Sequence, residues 1–409
     1  MHGEFGIWRS TVEKATHAWQ LSLTQPGSKE YSRALNRLRI VTTPSYRLLF
    51  NPITKQSLGI RFLVEMRAHL LQVGAQIGAP ARDISQHLLD TLNPCFATDT
   101  LELRRITWES KAANLEKVVQ AEAVHWVRSW VDLKRRLEQD RRCYAFFHRA
   151  FVEEPLAVLS VALLPQVACS IQDVLNEPSP SGTWVKERAE CAIFYSINST
   201  KRGLSGIDLG GALIKQAVRS LSEELPSLRT FCTLSPIPNF RHWVRMELLR
   251  CAFLQQTDPV NSKDLFLRQE KQDLVAWFHA NFKRRGTAGD ARDDAIAARA
   301  MYILLESQPQ VNASLVRPIL LRLCARYIAQ EKHKGHARDP VTNFHLRNGA
   351  QIWRLNWGAD TSAAGQRSSY GLMTNYMYFL DDLEDNAFEY ARRGCVSVSA
   401  EISRILGQQ

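Results

Sequence analysis

Apolar residues recur at helical spacing through the first 95 positions and give way beyond them to short contiguous runs. Trp8, Val12, Ala15 and Trp19 are spaced by 4, 3 and 4, which places them on one helical face. Leu63, Met66, Leu70, Val73 and Ile77 repeat this over two heptads, with Arg61, Glu65, Arg67, Gln72 and Gln76 elsewhere on the wheel. Two heptads are too few for an independent coiled coil. The stripe therefore predicts either a bundle packing on itself or a contact between subunits. Prolines at Pro80 and Pro94 break the pattern, and the boundary between two domains is expected at residues 95/96.

Four β-type runs follow: Cys143–Phe147, Leu156–Leu163, Cys191–Ile197 and Arg229–Leu234. Between the last two lies an amphipathic helix whose apolar positions Leu213, Ile214, Ala217, Val218, Leu221 and Leu225 form one stripe, while Lys215, Arg219 and Glu223 point away. The order is strand, glycine-bearing turn, helix, strand. Helical periodicity returns over about 241–332, and two β-like runs close the chain, Gln351–Trp357 and Tyr370–Phe379.

Charge narrows the function only slightly. Fifty-two Lys and Arg against 41 Asp and Glu give a net charge of +11, which suits an acidic partner such as a nucleic acid, an anionic membrane or a phosphate-rich ligand. No segment behaves as a basic tail, because residues 1–95 carry 11 basic and 6 acidic side chains and the remainder is nearly balanced. The densest runs, Lys134–Arg136 and Lys283–Arg285, sit in helix-like sequence and predict solvated faces. A nucleic-acid partner and a membrane partner are not expected. The longest uncharged stretch, Leu156–Gln172, contains Pro165 and falls short of the ~20 apolar residues of a membrane span.

The eight cysteines form no CxxC pair and read as reduced thiols. His333 and His336 stand in a polar stretch that predicts a loop rather than a metal site, so no metal is expected. Neither a secretory nor an organelle leader is apparent in the first residues, and a cytoplasmic, bacterial protein is the expectation.

Two segments carry candidate chemistry. Ser205, Gly206, Ile207, Asp208, Leu209, Gly210 and Gly211 follow a predicted strand and open the amphipathic helix. Unpartnered N–H groups at a helix start carry partial positive charge, and a glycine turn lets a pyrophosphate approach them. The turn fits neither the Rossmann nor the P-loop pattern. It resembles the acyl-CoA turn of N-acetyltransferases, and a turn that needs glycine for backbone reasons alone is the plainer reading. Asp208 would repel phosphate unless turned away, either to start the helix or to orient a catalytic group. In the second segment, Pro236 and Pro238 follow Ser235 and fix the backbone on its C-terminal side. About a hundred residues later His345 lies in mixed polar and aromatic sequence. Sequence alone does not bring it to Ser235.

Taken together, Arg141–His148, Ala192–Ile197, the Gly206–Lys215 turn and helix, Leu234-Ser-Pro-Ile-Pro238, Asn343-Phe-His-Leu346 and Gly371–Phe379 resemble the malonyl-CoA decarboxylase family over most of residues 100–380. The resemblance implies an α+β protein: a helical oligomerisation domain over 1–95, and a GNAT-like (acetyltransferase-type) catalytic domain with helical insertions over 96–409. It implies conversion of malonyl-CoA to acetyl-CoA and CO2, with a homo-oligomer, a tetramer, assembled through the N-terminal helices. By position Ser235 and His345 match the family's catalytic pair, Tyr378 an active-site tyrosine and residues 205–211 the acyl-CoA turn. Asp208 stands where relatives carry glutamate, one methylene longer.

Decarboxylation of a malonyl thioester passes through an enolate-like state that needs a donor at the thioester oxygen and an acid at the carbon. His345 is the expected donor, and Ser235 the group that protonates carbon, in a network with His345 and Asp208. A thioester stabilises its own enolate, so no cofactor is expected beyond the coenzyme A of the substrate. Two other readings are an N-acetyltransferase, which requires an acceptor amine, and a helical interaction or nucleic-acid-binding protein with salt-dependent polyanion binding.

Overall fold

The computed structural model describes residues 2–176, 188–253, 264–282, 293–306 and 313–407. The run Lys283–Arg285 lies outside the described residues. The chain divides into two compact units, the first comprising residues 1–102 with 148–152 and 201–207, the second comprising the rest.

The first unit is helical: α1 His2–Ser22, α2 Lys29–Thr42, α3 Ser45–Thr54, α4 Gly59–Ile77 and α5 Ala79–Leu92. Its centre is made by Ile60, Leu63 and Val64 of α4 with Leu88 and Leu92 of α5, all buried. The buried face of α4 thus runs 60, 63, 64, 67, rotated from the expected stripe. Met66, Leu70 and Val73 are half-buried, and Ile77 is 53% exposed. The rotation follows from Arg67, whose guanidinium turns inward to donate to the carbonyls of Ser85 at 3.1 Å and Gly203 at 2.5 Å. Gly203 must be glycine, since a Cβ there would stand 1.9 Å from the Val64 carbonyl oxygen. α4 therefore grips the backbone of residues 201–207.

The second unit contains β1 Glu102–Ile106 from Leu103 onward, α6 Ala112–Ala121, α7 Trp130–Arg135, β2 Arg141–Phe147, β3 Ala157–Leu164, α8 Ile171–Asn176 and β4 Cys191–Ser199. It continues with α9 Leu209–Glu224, β5 Thr230–Thr233, β6 Ser235–Pro236, α10 Phe240–Phe253, α11 Arg268–Asn281, α12 Asp293–Glu306 and α13 Ala313–Ala329. It ends with β7 Lys332–His333, β8 His336–Ala337, α14 Pro340–Arg347, β9 Gln351–Asn356, α15 Ala363–Ser369, β10 Met373–Met377, α16 Leu383–Arg393 and α17 Ala400–Ile405.

Eight of these strands form one mixed sheet in the order β1-β2-β3-β4-β5-β10-β6, with β9 also on β10. β2, β3 and β4 pair antiparallel, whereas β4 and β5 pair parallel from Cys191/Thr230 to Phe194/Thr233 and are joined through α9. β3 reads as a continuous apolar run because both its faces are covered, with Ala157–Leu163 all buried. The stripe of α9 packs down as expected, with Leu213, Ile214, Ala217 and Leu221 at 1% exposure or less.

Three expectations are corrected. Arg135 and Arg136 do not form a solvated face: Arg135 grips Asp140 through two bonds of 2.7 and 2.9 Å, and Arg136 is buried against Asp132. The run Tyr370–Phe379 is a strand only over Met373–Met377, because Tyr370 and Gly371 take positive φ (55° and 79°) to end α15. His333 and His336 face each other across a two-strand hairpin turned by Lys334 and Gly335, both at positive φ.

Candidate active site

The site is assembled from β5, β6, β10 and α14. Thr233 and Ser235 lie two residues apart in extended chain, so their side chains share a side. Ser235 is held opposite Thr374 of β10. The Asn375 amide donates to the Thr233 carbonyl at 2.7 Å, which ties β10 to the same point. α14 begins at Asp339, whose carboxylate accepts from the Thr342 N–H at 2.8 Å, with Pro340 at the first helical position. This cap sets the axis that carries His345.

Ser235 Oγ and His345 Nε2 are 3.0 Å apart, and His345 Nδ1 is 2.8 Å from the Tyr378 hydroxyl. Ser235 Oγ also donates to Thr233 Oγ1 at 2.9 Å, and the Tyr376 backbone N–H donates to the same Thr233 oxygen at 3.1 Å. Ser235 is 6% exposed, and His345 and Tyr378 are each 3% exposed. The Tyr376 ring lies on the imidazole, centroids 4.3 Å apart and planes at 25°, and its hydroxyl meets Thr342 Oγ1 at 2.6 Å. Histidine is thus fixed at both nitrogens and on one face.

Burial sets the protonation states. Burial pushes His345 down to about 3, and it stands neutral at physiological pH. Burial drives Tyr378 well above its ordinary value, and the charge of Asp208 adds to this, so the phenol keeps its proton. Asp339 is raised to about 6, again by burial.

The candidate turn divides between the two units. Ser205, Gly206 and Ile207 belong with the helical unit, where Gly206 takes φ +93° against Leu89. Asp208, Leu209, Gly210 and Gly211 open α9, and Asp208 Oδ1 accepts from the Gly211 N–H at 3.1 Å. Asp208 is therefore a helix-start residue whose field also reaches Tyr378. Gly210 and Gly211 are glycine for packing reasons. A Cβ at Gly210 would stand 2.9 Å from Phe344, and one at Gly211 1.8 Å from Asn348 Oδ1. The start of α9 thus lies against α14 on both sides of His345 in sequence.

Sequence reasoning missed Thr233, Tyr376, Thr342 and Asp339. Strand alternation from Ser235 points to Thr233, and the Asp-Pro-x-Thr start of a helix points to Asp339 and Thr342. Nothing in the sequence distinguishes Tyr376 as the ring beneath the imidazole. Among the described residues no cluster of three His, Cys, Asp or Glu is placed to hold a metal ion.

A buried hydroxyl, a neutral imidazole and a protonated phenol in one hydrogen-bonded chain define an acid–base site on a mixed α/β scaffold. The model of the malonyl-CoA decarboxylase C-terminal domain matches residues 99–409 and that of the N-terminal domain residues 5–93, so the chain belongs to the malonyl-CoA decarboxylase family. It is 39% identical to mitochondrial malonyl-CoA decarboxylase of Mus musculus over 408 residues, covering 99% of this chain and 80% of that one. Against the mitochondrial malonyl-CoA decarboxylase of Anser anser anser it is 38% identical over 382 residues, 92% of this chain and 72% of the other. The crystal structure of malonyl-CoA decarboxylase from Agrobacterium vitis superposes with a TM-score of 0.75 at 31% identity, over 98% of this chain and 87% of that one.

Proposed function

We propose that this protein is a carboxy-lyase that converts malonyl-CoA to acetyl-CoA and CO2 at Ser235 and His345. The observation that carries the reading is the Ser235–His345–Tyr378 chain, a buried hydrogen-bonded line of neutral groups that offers proton donors. Loss of CO2 leaves an electron pair spread over the α-carbon and the thioester oxygen, a strongly basic enolate that a neutral donor can protonate. Ser235 gives its hydroxyl hydrogen to the carbon, the Nε2 hydrogen of His345 passes to Oγ, and the Tyr378 hydrogen passes to Nδ1. The Nδ1 hydrogen then returns to Tyr378 while a solvent proton restores Nε2, so one proton is consumed for each CO2 released and the chain regains its starting polarity. Nε2 faces Ser235 Oγ, so His345 serves as the proton source of Ser235. No metal or cofactor is assigned beyond the coenzyme A of the substrate.

Support for a GNAT-like scaffold comes from the parallel β4–β5 pair, which ends at Phe194/Thr233, and from the helix α9 joining the two strands. Beyond that point β4 continues without β5 and offers backbone groups for a pantetheine chain. Residues 205–211 are assigned to the coenzyme A phosphates. Ile40, Leu48, Leu49 and Phe62 of the helical unit are 54–73% exposed, which supports assembly of a homotetramer through these helices. The described residues form no disulfide and include no helix long and apolar enough to cross a membrane. We place the enzyme in the cytoplasm of a bacterium, the compartment that free thiols suit. The test is release of CO2 and acetyl-CoA from malonyl-CoA by the purified protein with no amine acceptor. Product formed only when an amine is added would reassign it to acyl transfer.

A further inference from the structure

We infer that Thr233 is a positioning residue that sets the polarity of the hydrogen-bond chain, so that His345 carries its hydrogen on Nε2 and Ser235 accepts from it. The inference rests on the decarboxylase reading of the Ser235–His345 pair, and deepens it.

The argument is an inventory of hydrogens. The Tyr376 backbone N–H is a fixed donor and occupies one lone pair of Thr233 Oγ1 at 3.1 Å. The geometry between the two hydroxyls has Ser235 Oγ donating to that same oxygen at 2.9 Å. Ser235 has one hydrogen, so once it is given to Thr233 the contact of 3.0 Å with Nε2 requires the imidazole to donate. A neutral imidazole with its hydrogen on Nε2 has a bare Nδ1, which accepts from the phenol of Tyr378 at 2.8 Å. Each contact then has one donor and one acceptor. The opposite polarity would ask Nδ1 to donate to Tyr378, Ser235 to donate to Nε2 and Thr233 to donate to Ser235, which reverses the Ser235-to-Thr233 direction that the geometry gives.

Thr233 itself is fully buried and locked from two sides, by the Tyr376 N–H on its hydroxyl and the Asn375 amide on its carbonyl. It parks the Ser235 hydrogen on a weak neutral acceptor, from which an enolate carbon can draw it. Accepting the hydrogen on Nε2 instead would turn Ser235 toward nucleophilic attack, the polarity of an acyl-transfer serine. On this account Thr233 inclines the pair toward donating a proton rather than attacking a carbonyl.

The experiment is 15N NMR of the imidazoles in the substrate-free full-length protein, with the His345 signals assigned by their loss in His345→Gln. Kinetics of Thr233→Val and Thr233→Ser accompany it. Wild type is expected to show hydrogen on Nε2, and Thr233→Val to move it toward Nδ1. Thr233→Val should also lose about tenfold in kcat, the effect of one lost hydrogen bond, with KM held, and Thr233→Ser should restore both kcat and tautomer. Wild-type hydrogen on Nδ1, or a Thr233→Val enzyme with unchanged tautomer and kcat, overturns the inference. If Thr233→Val does not fold, the wild-type tautomer still decides. Failure of the decarboxylase reading would look different: a wild type with the expected tautomer but no CO2 release.

Discussion

Tyr378 and His345 are joined by a 2.8 Å contact between the phenolic oxygen and Nδ1, yet burial moves their proton affinities in opposite directions, the imidazole down and the phenol up. The pair therefore stays neutral with the hydrogen on tyrosine. Tyr378→Phe removes that hydrogen while keeping the ring that packs at 6.1 Å against Phe194. The expected outcome is a fall in kcat of about 10²-fold with little change in KM. An equal loss carried wholly by KM would assign Tyr378 to binding.

The acid side of the stability curve should carry the mark of two buried groups. His345 has its folded value lowered to about 3, below the unfolded value of ~6.5. Its contribution is present above pH ~6.5 and is lost as pH falls toward 3. Asp339 is raised to about 6, so it favours the folded state below its unfolded value of ~3.9 and that contribution is lost as pH rises through 6. Asp339→Asn keeps an oxygen for the helix cap but cannot ionise. Urea titrations from pH 4 to pH 8 should show the variant gaining on wild type between pH ~4 and 6, with the difference level above 6. A difference independent of pH would mean Asp339 titrates normally.

Gly211 tests the packing that seats α14. An added Cβ would stand 1.8 Å from Asn348 Oδ1, so Gly211→Ala should cost about 1–3 kcal/mol and raise KM for the acyl-CoA. Asn348→Ala in the same chain removes the contact with Asn348, leaving Asp208 Oδ2 at 2.6 Å, and should recover part of the stability in thermal melts. Two losses that simply add would show the residues to be uncoupled.

Arg67 is a buried cation whose partners are carbonyls of Ser85 and Gly203. Arg67→Met leaves both carbonyls without that donor, at a cost of about 1–3 kcal/mol. Thermal unfolding should show this loss in the helical unit. Unchanged stability would show that the helix α4 does not depend on this grip.

The sequence carried the sheet most clearly where strands are covered on both faces, as in β3, and the helix α9 where a single apolar stripe repeats. It misled where a polar side chain turned inward for backbone partners, since periodicity treats Arg67, Arg135 and Arg136 as surface. The candidate pair was legible from two local patterns, but their meeting was not. Ser235 and His345 are 110 positions apart, and what joins them is the pairing of β10 with β5 and β6 together with the cap at Asp339. Thr233 stayed hidden because a buried threonine in a strand ordinarily needs no further explanation.

The central claim is tested most directly by CO2 release from malonyl-CoA with Ser235→Ala and His345→Ala beside wild type, in folded protein and without added acceptor. Loss of about 10²-fold or more in both variants is predicted. Wild-type turnover in either variant would contradict the account, because it would place the proton donor outside the Ser235–His345–Tyr378 chain.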